Sequence, residues 1–99
     1  MGQKLSETDR DLYRAVDEVL HYVWDPIGVS AIPAARDEYH AYLPQVFRLV
    51  REGSDAASIA SYLGKITTEQ MGLSARPMHD LHVAQVLLAW KEAVPARRR

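Results

Sequence analysis

Apolar residues recur every three to four positions between residues 6 and 24, which predicts an amphipathic first helix. Its apolar stripe consists of Leu12, Val16, Val19, Leu20 and Val23. Either Ser6 or Thr8 can begin this helix, and Asp11 lies three residues after Thr8, as in a capping box. Pro26 ends the helix because proline biases the preceding residue away from helical backbone angles.

A second apolar face at helical spacing covers residues 34–52 and contains a proline. Its members are Tyr39, Tyr42, Leu43, Val46, Phe47 and Val50. Pro44 cannot donate a backbone hydrogen bond inside this pattern. We therefore predict a short helix at about 35–42 and a longer one at 44–52, which Gly53 ends.

Two further helices are predicted in the second half of the chain, at residues 55–71 and 77–94. The buried stripe of the first is formed by Ile59, Tyr62, Leu63 and Ile66. The second has one apolar side, with Leu81, Ala84, Leu87, Leu88 and Val94. Gly64 costs its helix about 1 kcal/mol relative to alanine, and a close helix–helix crossing would explain it. Pro95 is expected to end the last helix. Because no stretch alternates as a strand does, we predict an all-α fold: a small bundle of about four helices, the second kinked or split at Pro44.

Length and composition fit one soluble domain of ordinary globular type, with 99 residues, 47% of them apolar and 25% charged. We expect residues 6–94 to be ordered and residues 95–99 to form a basic tail. Twelve lysines and arginines against thirteen acids argue against a dedicated nucleic-acid binder. The absence of cysteine excludes a disulfide scaffold, a thiolate zinc site and a cysteine nucleophile.

Charge is distributed unevenly along the chain. Residues 1–40 contain eight acids and four bases, a net of −4, whereas residues 41–99 contain five acids and eight bases, a net of +3. Three of those bases are the terminal Arg97, Arg98 and Arg99, which we interpret as a solubilising tail. The acidic first forty residues are therefore the main asymmetry.

No apolar segment resembles a signal peptide or a membrane span, and the longest apolar run is residues 86–90. We therefore expect a cytoplasmic protein that does not associate with membranes.

A turn is predicted where the first helix ends, at residues 24–28. Asp25, Pro26 and Gly28 have the spacing of a type I turn, and the Asp25 carboxylate can accept hydrogen bonds from amides just downstream. Trp24 can pack over this turn and close one end of the bundle. Alternatively, Trp24 and Asp25 form part of a recognition surface.

A family resemblance rests on the stretch Trp24-Asp25-Pro26-Ile27-Gly28-Val29, followed by Asp37-Glu38-Tyr39 and Tyr42. Over residues 12–90, the chain resembles a group of small bacterial helical proteins, most of them of unknown function. Some members look like immunity proteins, which neutralise toxins used in bacterial competition. The resemblance implies no catalytic residues and no cofactor.

The predicted function is a non-catalytic protein-binding module, by resemblance an immunity protein that neutralises a toxin through an acidic-aromatic face. The predicted partner-binding residues are Trp24, Asp25, Asp37, Glu38, Tyr39 and Tyr42. Aromatic anchors beside complementary charges are typical of tight interfaces, and an acidic surface suits a basic nuclease toxin. The alternative is that the acids favour a helix N-terminus and the tyrosines face the core.

Two other functions stay open. His79 and His82, with Asp80 between them, have spacing that could contribute two ligands to a metal-assisted enzyme if a third came from elsewhere. The helix that carries Trp90 could instead pair with a second copy in a homo-oligomeric regulatory protein. We expect neither catalysis nor a bound metal or cofactor.

Overall fold

Helices joined by short turns make up residues 5–97, the part of the chain that the computed structural model describes. The α-helices in this part are α1 (Glu7–Val19), α2 (Leu43–Arg51), α3 (Ala56–Lys65) and α4 (Pro77–Arg97). Residues 5–97 contain no strand, so the prediction of a small all-α bundle is confirmed. Within the same range, no helix is long and apolar enough to cross a bilayer.

Two of these helices continue into wider, π-helical turns. One turn extends α1 over Leu20–Trp24, and the other extends α3 over Ile66–Gln70. Residues five apart overlay in such a turn, so Trp24 follows Val19 into the core. Val23, which we predicted on the apolar stripe, is only half-buried as a result.

Short-range hydrogen bonds begin the helices. Oγ of Ser6 accepts from the backbone amide of Asp9 at 3.0 Å, so Ser6 rather than Thr8 caps α1. Asp55 caps α3 by accepting from the amide of Ser58 at 2.8 Å. Gly53, which follows α2, has a positive φ of 84°, in agreement with its predicted role as a stop.

The predicted helix at residues 35–42 is wrong. A 3₁₀ turn over Pro33–Ala35 is followed by successive turns up to residue 42. Pro44 has no N–H for the carbonyl of His40, which accepts from the amide of Leu43 at 3.3 Å instead. The predicted break is therefore confirmed, because α2 begins at Leu43 with Pro44 in its first turn.

The core lies where α4 packs against the other three helices. Its largest fully buried side chains are Val16, Leu20, Trp24, Val46, Val50, Ile59, Leu63, Val83 and Leu87. Burial of one such aliphatic side chain stabilises the fold by about 1.5–3 kcal/mol. All four α-helices contribute to this cluster, so each depends on the others for its stability.

Leu81, on the predicted apolar side of α4, is exposed beside a cavity between α3 and α4. One prediction about α4 is wrong. Pro95 does not end the helix, which continues to Arg97. A proline in the last turn removes only one backbone hydrogen bond, so the helix tolerates it there. Of the predicted basic tail, Arg98 and Arg99 lie outside the described residues.

Candidate functional site

Trp24 lies at the end of the first π-helical turn. Both its indole N–H and its backbone carbonyl form hydrogen bonds with side chains in the first turn of α4. Its indole Nε1–H donates to Oδ1 of Asp80 at 3.1 Å, and Nε2 of His79 lies 3.0 Å from its carbonyl oxygen. Only 1% of Trp24 is exposed. It therefore joins the end of α1 to α4 and is not accessible to a partner in this conformation.

The carboxylate of Asp25 organises the turn that follows. Oδ1 accepts from the amides of Gly28 at 3.1 Å and Val29 at 2.8 Å, and Oδ2 accepts from that of Ser30 at 3.1 Å. The amide of Gly28 also donates to the Asp25 carbonyl at 3.1 Å, which closes the predicted turn. The backbone of Asp25 is left-handed, with φ 34°, a conformation that aspartate tolerates better than most residues. The predicted capping of downstream amides by Asp25 is confirmed.

Tyr39 fastens the same turn from the other side. Its hydroxyl donates to Oδ1 of Asp25 at 2.7 Å and accepts from the amide of Ile27 at 3.1 Å. Its ring lies 5.3 Å from that of Trp24, and only 2% of the residue is exposed. Burial, together with the hydrogen bond to Asp25, raises the pKa of Tyr39. Burial opposes the charged form of Asp25, but hydrogen bonds from Tyr39, Val29 and Ser30 outweigh it and lower the pKa of this carboxyl.

Residues 26–35, which we call the anchored loop, follow Asp25 and contain no charged residue. Ile27 is 45% exposed and Ile32 is 50% exposed, although both are large and apolar. Three amides at the start of this loop are bound by Asp25, so its backbone is held in place while Ile27 and Ile32 face solvent. Ile27 and Ile32 are therefore large apolar side chains on the surface of an ordered segment.

A second set of contacts fixes the far end of the anchored loop to α1. The Arg36 guanidinium makes two hydrogen bonds to the Asp17 carboxylate, of 2.9 and 3.2 Å. The same guanidinium lies 5.4 Å from the centre of the exposed Tyr22 ring, and Nε2 of His40 lies 3.1 Å from Oδ1 of Asp17. The anchored loop is therefore held at its start by Asp25 and Tyr39 and at its far end by the contacts of Arg36 with Asp17 and Tyr22.

The six predicted partner-binding residues occupy different environments. Trp24 and Tyr39 belong to the core, and Tyr42 is half-buried with its ring edge-on to Trp24 at 6.3 Å. Asp25 is bound to the loop backbone, whereas Asp37 and Glu38 are exposed directly after the loop. Trp24 and Tyr39 are therefore buried in this structure, and the partner-binding role of all six residues stays a prediction.

Sequence reasoning missed Ile27 and Ile32 as surface residues. The signal was present as the ten uncharged residues of the anchored loop. Hydrophobicity alone would have placed both isoleucines in the core. Only the packing of the turn shows that they face outward.

The histidine pair does not assemble a metal site in the described range. Among residues 5–97, no group of three His, Cys, Asp or Glu side chains is placed to hold an ion. A carbonyl oxygen can only accept, so Nε2 of His79 donates its proton to Trp24 and is unavailable as a ligand. His82 is exposed.

Asp80, which lies between these histidines, is a buried carboxyl group. Burial raises its pKa, against the lowering influence of the Trp24 hydrogen bond and of the charges on His79 and Arg76. The group therefore acts as the acceptor that keeps the Trp24 indole satisfied in the core.

Trp90, proposed above for pairing between copies, is half-buried and packs against the core of its own chain. This contact gives the residue a role within one molecule, and self-association stays a prediction.

The chain matches no protein-family model, and no curated protein or solved structure is detectably similar to it. The resemblance based on the Trp24–Val29 stretch therefore stays a prediction.

Proposed function

We propose that this chain is a non-catalytic protein-binding module whose contact surface is the recognition face, formed by Ile27 and Ile32 of the anchored loop with Asp37 and Glu38. The observation that carries this proposal is the arrangement of the loop. Its isoleucines are exposed while Asp25 and Tyr39 hold its backbone in place.

Preorganisation gives this surface its value for binding. A mobile loop must be ordered when it binds, and that ordering subtracts from affinity. Here the hydrogen bonds to Asp25 and the Arg36–Asp17 ion pair order the loop before any partner arrives. Burial of Ile27 and Ile32 at an interface then contributes to affinity with little further ordering cost.

The negative charge of this side of the molecule favours a basic partner. Asp37 and Glu38 are exposed at the end of the anchored loop, and the first forty residues have a net charge of −4. Negative potential on this side attracts a positively charged protein and speeds its association, more strongly at low salt.

The specific form of the proposal is an immunity protein that covers the basic, phosphate-binding region of a nuclease toxin. It is supported by the resemblance of the Trp24–Val29 stretch and by the acidic character of the recognition face. In this role Trp24, Asp25, Tyr39 and Tyr42 support the surface from beneath.

The test is coexpression with toxins encoded beside the gene, with growth as one readout and calorimetric binding of the purified pair as the other. We expect I27S/I32S and D37K/E38K each to weaken binding at least tenfold and to reduce protection. The matched controls are M78S, at an exposed apolar residue of α4, and E69K, at an exposed acid after α3.

The two double variants separate the parts of the proposal. D37K/E38K should lower the association rate and its salt dependence, whereas I27S/I32S should mainly speed dissociation. Unchanged binding by both double variants would show that the recognition face is wrong. Binding without protection would reject the immunity role and retain the binding module.

A further inference from the structure

A cavity with a volume of about 490 Å³ lies between α3 and the beginning of α4. The residues that define its shape are Ala57, Ala60 and Gly64 of α3 and Pro77, Asp80 and Leu81 of α4. Its volume is within the range of small-molecule sites, and its wall is mostly apolar with few polar groups, as such sites usually are. The recognition face contributes no residue to this wall.

Asp80 is the buried polar group of this wall, with only 3% of the residue exposed. One carboxylate oxygen, Oδ1, accepts the Trp24 indole N–H. The other, Oδ2, is directed towards α3, where a Cβ added to Gly64 would lie 3.4 Å from it. Within residues 5–97, no donor forms a hydrogen bond with Oδ2, and this oxygen is not sealed from solvent. The cavity therefore contains an acceptor oxygen with no partner.

We propose that this cavity binds a small primary alkylamine. Its ammonium group would donate to Oδ2 of Asp80, and its hydrocarbon chain would lie against Ala57, Ala60 and Leu81.

The chemistry of the wall favours an ammonium ion over other head groups. A buried carboxylate repels anions and gains most from a charged donor, because hydrogen bonds between ionised partners are the stronger ones. Lys65 is also on the cavity wall, but no ion pair within the described chain joins it to Asp80. The charges of His79 and Arg76 also act on Asp80, but no ion pair within the described chain joins either of them to it. Oδ2 therefore has no cation paired with it in residues 5–97.

The small side chains on α3 leave room for a free amine beside Asp80. Ala57, Ala60 and Gly64 lie on the wall with Asp80, of which only 3% is exposed. A slender chain with a terminal ammonium can reach this oxygen while its carbons stay in contact with the apolar wall. A partner helix would have to approach over the exposed Leu81 to present a lysine at the same depth.

The experiment is a titration of the ¹⁵N-labelled chain with hexylamine, in which the indole N–H signal of Trp24 reports on Asp80. Hexan-1-ol, with the same carbon chain and no charge, is the matched ligand. We expect saturable displacement of the Trp24 signal by hexylamine and at least tenfold weaker binding of hexan-1-ol.

Two variants test the contact from opposite walls. D80N keeps an acceptor for Trp24 but replaces Oδ2 by a donor, and G64A adds a methyl group 3.4 Å from Oδ2, which reduces the space for the ammonium. Each variant should weaken the binding of hexylamine at least tenfold. E92Q removes an exposed acid elsewhere on α4 and should leave that binding unchanged. An amide spectrum as well dispersed as that of the parent shows that each variant is folded.

Equal affinity for amine and alcohol would overturn the proposal, as would full hexylamine binding by folded D80N and G64A. A short alanine-rich peptide with one lysine serves as a further probe. If it binds in an Asp80-dependent manner while hexylamine does not, the cavity belongs to a protein partner and the amine proposal is wrong. None of these outcomes depends on the recognition face.

Discussion

The indole nitrogen of Trp24 donates a 3.1 Å hydrogen bond to Oδ1 of Asp80, 56 residues away along the chain. Because both residues are buried, this bond is shielded from water and joins the end of α1 to the first turn of α4. It also links the two proposed sites, since Trp24 precedes the anchored loop and Asp80 lines the cavity.

The Trp24–Asp80 bond should be measurable as a coupling energy. We expect W24F to lower the free energy of unfolding by about 2–4 kcal/mol, because it removes buried volume and leaves Oδ1 of Asp80 without its donor. In a double-mutant cycle with D80L, the two losses should be less than additive by about 1–2 kcal/mol. Urea unfolding of the four proteins measures this difference, and strict additivity would show that the bond contributes nothing.

Tyr39 should control the order of the anchored loop. We expect Y39F to lower the free energy of unfolding by about 1–3 kcal/mol, because Asp25 loses a donor and the Ile27 amide loses its acceptor. Hydrogen exchange at the Ile27 amide should become faster. Y22F, at an exposed tyrosine, is the control and should leave that exchange rate unchanged. An unchanged rate in Y39F would show that the loop is held by other contacts.

Asp25 should make stability depend on pH in the acid range. Its pKa is lowered in the folded state from an ordinary value of 3.8, so its contribution is present above that value and is lost as the pH falls through the folded pKa. We expect D25N to be about 1–2 kcal/mol less stable than the parent at neutral pH, since its hydrogen bonds are no longer charge-assisted. The deficit should shrink in urea titrations as the pH falls below 3.8 and through the folded pKa. A deficit independent of pH would contradict this assignment.

Asp80 should have the opposite pH dependence. Its pKa is raised from 3.8 in the folded state, so the folded chain binds the proton more tightly and loses stability as the pH rises from 3.8 through the folded pKa. D80N lacks this loss, so its free energy of unfolding relative to the parent should increase with pH over that interval. E92Q, at an exposed acid on the same helix, should run parallel to the parent. If the free energy of unfolding of D80N also changed with pH in parallel with the parent, Asp80 would not be the source of this pH dependence.

His21 has a buried polar atom without a partner, since Nδ1 makes no hydrogen bond to any residue in the range 5–97. Replacement by a leucine of similar size removes the cost of burying that atom, and we expect H21L to raise the free energy of unfolding by about 1 kcal/mol. H82L, at an exposed position of α4, should change it by less than about 0.5 kcal/mol. Thermal unfolding distinguishes the two, and a clear loss of stability in H21L would reveal a contact of the imidazole that stabilises the fold.

Local features of this protein were determined by the sequence alone. Helical spacing predicted the four main segments, Pro44 predicted the break before α2, and the Asp25–Gly28 spacing predicted the turn. These features depend on backbone sterics and on hydrogen bonds between residues a few positions apart, so neighbouring residues contain the necessary information.

Tertiary structure decided which of these residues face solvent and which are buried. Residues 36–42 form turns rather than a helix, in a segment where Arg36 pairs with Asp17 and Tyr39 with Asp25. Burial depends on which elements pack together, and the Trp24–Asp80 contact spans most of the chain. The sequence therefore identified the Trp24–Asp25 turn as unusual, and only the packing of α1 against α4 placed Trp24 in the core and left the anchored loop exposed.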